Sequence, residues 1–345
     1  ALSSAASDVY KRQVRAFVQG CLQKLHLTLS QLKGVGLRGR EDLFVLLQKQ
    51  LLLLNCPKKR RPFLHCQMMK VCLSLLNRMK QNFYRYDEVI VMNQTESCKA
   101  ACIQALEGPD GELARTDPEF TKFFENFALD EVTKQGELDE STRMMAILAA
   151  LLGCQGLELY KSMLPAALGA GLTPVQIKEV VYQATAYLGI GRVFPFLKAT
   201  NAVFAAQGIS LPLEPQATTT PDTRLAAGEQ AQVDIFGDSM RGFSQSGPEE
   251  SRHINRWLSD NCFGDYYTRK GLGYKQREMI TFCFLLAQGG CEPQLTSHAE
   301  ANLRIGNDKA FLIAVLSQCL PYIGYPRSLN ALRCINNAAA NLLSV

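Results

Sequence analysis

Beyond residue 92 the chain carries apolar residues at spacings of three and four. Ile177, Val180, Val181 and Ala184 form one such stripe, the pattern that gathers side chains on a single helical face. Thr173-Pro174 stands just before it, an N-cap followed by proline at the first helical position, where the missing N–H costs nothing. Gly169 and Gly171 supply the break ahead of that cap. No stretch alternates apolar and polar residues with the period of a strand. An all-α fold is expected.

The helical pattern occurs twice. In the first copy Phe127-Ala-Leu-Asp-Glu-Val leads to Leu138, Arg143 and an apolar run at 144–152. In the second, Phe263-Gly-Asp-Tyr-Tyr-Thr-Arg leads to Leu272, Arg277 and an apolar run at 279–287. Tyr187-Leu-Gly-Ile-Gly-Arg192 answers Tyr322-Ile-Gly-Tyr-Pro-Arg327, and Asn201 answers Asn336, both at an offset of 135. Anchors matched in the same order indicate a duplication. The stretch 210–222, SLPLEPQATTTPD, reads as a connection. The expected division is a first repeat at 92–210, a linker at 211–228 and a second repeat at 229–345.

Charge sets the first 91 residues apart. They carry 16 Lys and Arg against 5 Asp and Glu, whereas residues 92–345 carry 21 against 27, so balances of +11 and −6 make up the net +5. KKRRP at 58–62 is the only patch in this segment that suggests nucleic acid. No aromatic platform or binding module accompanies it, so no nucleic-acid partner is expected. The opening ALSSAASDVYKRQ resembles translated sequencing-adapter DNA, and residues 87–91 are encodable by a ribosome-binding purine run just before Met92. Residues 1–91 are therefore expected to be non-native upstream translation or, failing that, a disordered basic extension. The best apolar run, 43–56, is interrupted by Gln48, Lys49 and Gln50, and no membrane partner is expected. Twelve cysteines without paired spacing suit reduced thiols in a cytoplasm.

The repeat anchors resemble the carboxymuconolactone decarboxylase family, which includes the alkylhydroperoxidase D-like proteins. The second copy is similar to the decarboxylase branch in the segment Phe263–Leu272, in Arg277-Glu278, in Glu292-Pro-Gln-Leu-Thr-Ser-His298 and in Tyr325-Pro-Arg-Ser-Leu-Asn-Ala-Leu332. The resemblance implies a helical bundle per repeat and assembly into a homo-oligomer, a trimer or hexamer. The peroxidase branch uses Cys-x-x-Cys with a histidine four residues later. Aligned on His298 those positions hold Cys291 and Gln294, and a disulfide relay lacks its resolving thiol. In the first copy His298 aligns with Met163 and Glu278 with Met144. The first site is expected to be degenerate, a scaffold or half-site wall.

His298 is the leading catalytic candidate. Helical spacing places it on one face with Gln294 and Cys291, beyond Pro293 at an expected helix N-terminus, where the dipole favours anions. Glu278 either orients and charges His298 or makes a surface pair with Lys275 or Arg277. Cys291, near a helix N-terminus and a histidine, is expected to favour its thiolate. Glu292 is a helix cap or a substrate contact, and Arg327 and Arg333 are candidates for binding a substrate carboxylate. His253, in Glu249-Glu-Ser-Arg-His, reads as a solvated helix residue. No metal site is expected, since Cys98-x-x-x-Cys102 has no further ligands nearby.

The resemblance implies a lyase that decarboxylates a small lactone dicarboxylate such as 4-carboxymuconolactone without a cofactor. The conjugated lactone carbonyl accepts the electrons left by carbon dioxide. Two alternatives stay open: a peroxidase or thiol reductase working through Cys291, and a non-catalytic oligomer that binds a small metabolite.

Overall fold

The computed structural model describes residues 99–105, 107 and 111–343. They are mainly helical, and no strand occurs among them. The basic segment 1–91, its KKRRP motif and its expected foreign origin lie outside the described residues.

After a short helix α1 (Glu112–Thr116), the first repeat runs through α2 (Pro118–Glu125), α3 (Glu140–Gly153), α4 (Leu157–Gly169), α5 (Pro174–Leu188) and α6 (Ile190–Ala206). Helix α7 (Arg224–Phe236) precedes the second repeat, which comprises α8 (Arg252–Trp257), α9 (Tyr274–Gln288), α10 (Glu292–Arg304), α11 (Lys309–Ile323) and α12 (Tyr325–Leu343). The entry helices α2 and α8 each run on into π-helical turns, Asn126–Glu131 and Leu258–Tyr267. Helices α4, α5 and α6 begin 135 residues before α10, α11 and α12 respectively. The duplication seen in the sequence is a duplication of structure.

Local signals explain the helix starts. Thr173 Oγ1 accepts from Gln176 N at 3.2 Å while Gln176 Oε1 accepts from Thr173 N at 2.9 Å, a reciprocal cap on α5. Asp139 and Asp308 cap α3 and α11 by accepting from Thr142 N and Phe311 N. The connection after α6 stays irregular until Arg224, where α7 begins inside the stretch expected to be linker.

The two central helices carry the core. Residues 143–153 of α3 and 277–287 of α9 are buried without a break, the signature of a helix enclosed on all sides. They pack on each other so closely that a Cβ on Gly153 would lie 2.7 Å from both Ala287 Cβ and Phe284 O. One hydrophobic core therefore spans both repeats. Against this pair, α5 of the first repeat packs on α9 of the second, and α11 of the second packs on α3 of the first. Each repeat thus walls the other's central helix.

Helix α7 crosses the π-helical segment after α8 at backbone contact. A Cβ on Gly228 would lie 1.8 Å from Ser259 O, and one on Gly264 would lie 2.2 Å from Arg224 O. Both clashes are with backbone, so no rotamer change relieves them. Gly228→Ala is expected to cost ~3 kcal/mol and to lower Tm by roughly 5–10 °C. Calorimetry checks it; an unchanged Tm would mean that the two segments do not cross at this distance.

Candidate active site in the second repeat

Helix α9 supplies Glu278 and Thr281, and α10 supplies His298, which faces Glu278. Glu278 is fully buried and His298 nearly so. His298 Nδ1 lies 2.8 Å from Glu278 Oε2, and the other carboxylate oxygen, Oε1, accepts from Tyr267 OH at 2.7 Å. The alternative of a surface pair between Glu278 and Lys275 or Arg277 is therefore corrected: Glu278 faces inward and bonds to His298.

The network behind Glu278 has a definite direction. Burial raises the Tyr267 and Tyr187 phenols well above their usual range, so both are donors at any ordinary pH. The Tyr267 proton goes to Glu278, leaving its oxygen to accept. Thr281 Oγ1 and Tyr187 OH each lie 2.8 Å from that oxygen and act as its donors. Thr281 in turn accepts from Gln183 Nε2 at 2.8 Å. Burial pushes the neighbouring Cys262 thiol up to about 12, so it stays protonated 3.8 Å from Tyr187 OH. Every donor converges on Glu278, an arrangement suited to a carboxylate.

That arrangement fixes the histidine. With Nδ1 against Glu278, the ring is held in one orientation. Tyr187 and Phe236 approach edge-on, each with its ring centroid 5.4 Å from that of His298. Among the described residues nothing hydrogen-bonds to Nε2, and the side chain keeps 11% of its surface exposed. Nε2 is thus the ring nitrogen left without a partner among the described residues.

Three parts of this site come from the first repeat. Glu179, Gln183 and Tyr187 lie four residues apart on α5 and face α9. Gln183 Oε1 accepts from Arg277 NH1 at 2.8 Å, and Glu179 accepts from both Arg277 and Arg269 at 2.9 Å. Sequence reasoning missed these residues as functional, together with Tyr267, Thr281 and the wholly buried Arg277. The available signal was a polar stripe, Glu179-x-x-x-Gln183-x-x-x-Tyr187, on a helix otherwise rich in buried positions.

The remaining candidates lie elsewhere. Cys291, Glu292 and Arg327 line a separate cleft of about 260 Å³ with Gln288, Leu295 and Asn330, which shares no lining residue with the His298 network. Cys291 precedes α10 with φ −138°, outside helical geometry, so it does not share the helical face of His298. Its Sγ contacts Leu285 O at 3.5 Å, and burial raises its thiol rather than favouring the expected thiolate. Glu292 makes no cap; its Oε1 accepts from Asn330 Nδ2 at 3.3 Å. Arg333 lies exposed on α12 beside Asn330, and His253 is exposed against Trp257. No metal-holding cluster of His, Cys, Asp and Glu occurs among the described residues.

The first repeat holds the same scaffold with apolar residues in place of the ionisable pair. Met144 occupies in α3 the place of Glu278 in α9, and Met163 occupies in α4 the place of His298 in α10. Ile147 stands for Thr281, and on the walling helix Ala314 stands for Glu179. Gln318 and Tyr322 still match Gln183 and Tyr187. Both methionines are fully buried, so the fold is satisfied without the ionisable pair. The double variant Glu278→Met/His298→Met should therefore stay within about 1 kcal/mol of the parent or exceed it. Glu278→Met alone, which strands His298 Nδ1, should cost about 1–3 kcal/mol. Urea unfolding compares them; a double variant less stable than the single one would contradict this reading.

The family model described as the carboxymuconolactone decarboxylase family matches residues 118–202 and 253–337, one match in each repeat. No curated protein matches the sequence significantly. A crystal structure of a proposed gamma-carboxymuconolactone decarboxylase subunit from Burkholderia xenovorans LB400 is 19% identical. It covers 73% of this chain and 98% of that one, with a TM-score of 0.41.

Proposed function

The chain belongs to the carboxymuconolactone decarboxylase family as a tandem member, and from that premise we propose that its second repeat decarboxylates a small lactone dicarboxylate such as 4-carboxymuconolactone, without a cofactor. The observation that carries the reading is the buried pair of His298 Nδ1 and Glu278 Oε2 at 2.8 Å, with Nε2 left for a ligand.

In this reading the bond between the lactone ring and the departing carboxylate breaks, and carbon dioxide leaves. Its electron pair passes into the conjugated lactone carbonyl as a dienolate. His298 Nε2–H then protonates carbon, and solvent restores the proton. Glu278 holds the imidazolium in place for that step, and Tyr267 with Thr281 holds Glu278. The raised Cys291 thiol and the absence of a second sulfur at Gln294 give no support to a peroxidase.

His298→Ala is expected to lower turnover of 4-carboxymuconolactone by about a hundred- to ten-thousand-fold, the usual contribution of a general acid. Cys291→Ser should cost little. Steady-state assays on the lactone, and on an organic hydroperoxide with a thiol reductant, check both. Hydroperoxide turnover that vanishes in Cys291→Ser, with no lactone turnover in the parent, would reverse the assignment.

We also propose a homo-oligomer, a trimer or hexamer. Phe120, Phe123, Phe194, Trp257 and Leu329 are each more than half exposed on the single chain, surface that an interface would cover. Light scattering at micromolar concentration should give a multiple of the chain mass. A monomer throughout that range would refute it.

A further inference from the structure

A larger cavity, of about 500 Å³, is lined by neither His298 nor Glu278; its walls are α5, Arg269 and the connection at 211–217. That connection forms a fixed strap. Gln216 O accepts from Lys270 N at 2.9 Å, Thr218 Oγ1 donates to Thr268 O at 2.7 Å, and Thr219 Oγ1 donates to Gly264 O at 3.1 Å.

The inner wall holds an excess of positive charge. Lys178 is only 6% exposed, yet its ammonium bonds to the neutral Asn201 side chain and has no carboxylate partner among the described residues. It lies 5.6 Å from the centre of the Tyr182 ring, and the Arg269 guanidinium lies 5.2 Å from the same ring. Glu179 is the one buried carboxylate here, and it is shared between Arg269 and Arg277. Glu214, the other acid at the cavity, sits on the exposed strap. A buried cation without a counter-charge is costly, and an anion entering the cavity would relieve that cost. Burial also lowers the Lys178 pKa, in keeping with an ammonium short of a partner.

The second repeat has nothing comparable. At the offset of 135, Lys178 corresponds to Ile313 and Tyr182 to Ser317. The duplicated scaffold therefore does not require this pair of side chains; they are particular to one cavity.

We propose that this cavity is a second ligand site, which binds a small organic carboxylate through Lys178 and Arg269 and packs its apolar or unsaturated body against Tyr182, Pro212 and Leu213. It does not include His298 or Glu278, and Glu179 at its wall links it to the Arg277 side of their network.

Calorimetric titration of the full chain with benzoate, and in parallel with succinate, tests it. To silence the other site, the reference protein is His298→Ala. Saturable binding of at least one carboxylate is expected there, with chloride at the same ionic strength giving none. Lys178→Met should weaken it at least tenfold. Ala217→Trp, at an exposed strap position, should fill the cavity and weaken it similarly, while leaving Tm unchanged and so guarding against a folding artefact. Absence of saturable heat with both carboxylates in His298→Ala would overturn the proposal. So would affinity unchanged in Lys178→Met and in Ala217→Trp.

Discussion

The packing of α3 against α9 is the constraint from which the rest follows. Neither central helix has a solvated face, and at Gly153 the two approach so closely that a single Cβ would collide with Phe284 O and Ala287 Cβ. Neither repeat buries its own central helix alone. Each lends a wall, α5 or α11, to the other, and so a pocket in either repeat is built from residues far apart in sequence. Gln183 reaches Arg277 and Thr281 for this reason, although 94 and 98 residues separate them.

Two equivalent sets of helix positions then diverge in content while the frame is kept. In one, Glu278, His298, Thr281 and Glu179 form a connected polar network. In the other, Met144, Met163, Ile147 and Ala314 stand at the same helix positions. A buried carboxylate–imidazole pair is weak support for a fold, since apolar residues of similar volume commonly replace one without loss. Here the replacement exists within the same chain. The fold therefore does not require the polar set, to which the first repeat contributes Tyr187, Gln183 and Glu179.

Helix class, repeat order and caps were legible because they depend on local rules. The Thr173 cap, the proline after it and the 135-residue offset are all short-range features of the chain. His298 was legible through resemblance, as was Met163 in its place. The burial of Glu278 was not, because a glutamate near a helix start reads equally well as solvated. The failure at Cys291 came from assuming that α10 extends back to it. The two glycines at 289 and 290 have φ of +70° and +71°, and they turn the chain so that Cys291 enters the cleft beside Arg327. The α5 stripe is visible in the sequence, but its role and that of Tyr267 exist only once α5 lies on α9.

The central claim is that ligand chemistry occurs at His298 Nε2, between walls drawn from both repeats. Its most direct test is a crystal structure of the protein soaked with a stable lactone carboxylate analogue. The account predicts density for the analogue within hydrogen-bonding distance of Nε2, bounded by Tyr187 of the first repeat and Phe236. Ordered analogue in the cleft of Cys291 and Arg327, with Nε2 of His298 facing only solvent, would contradict it.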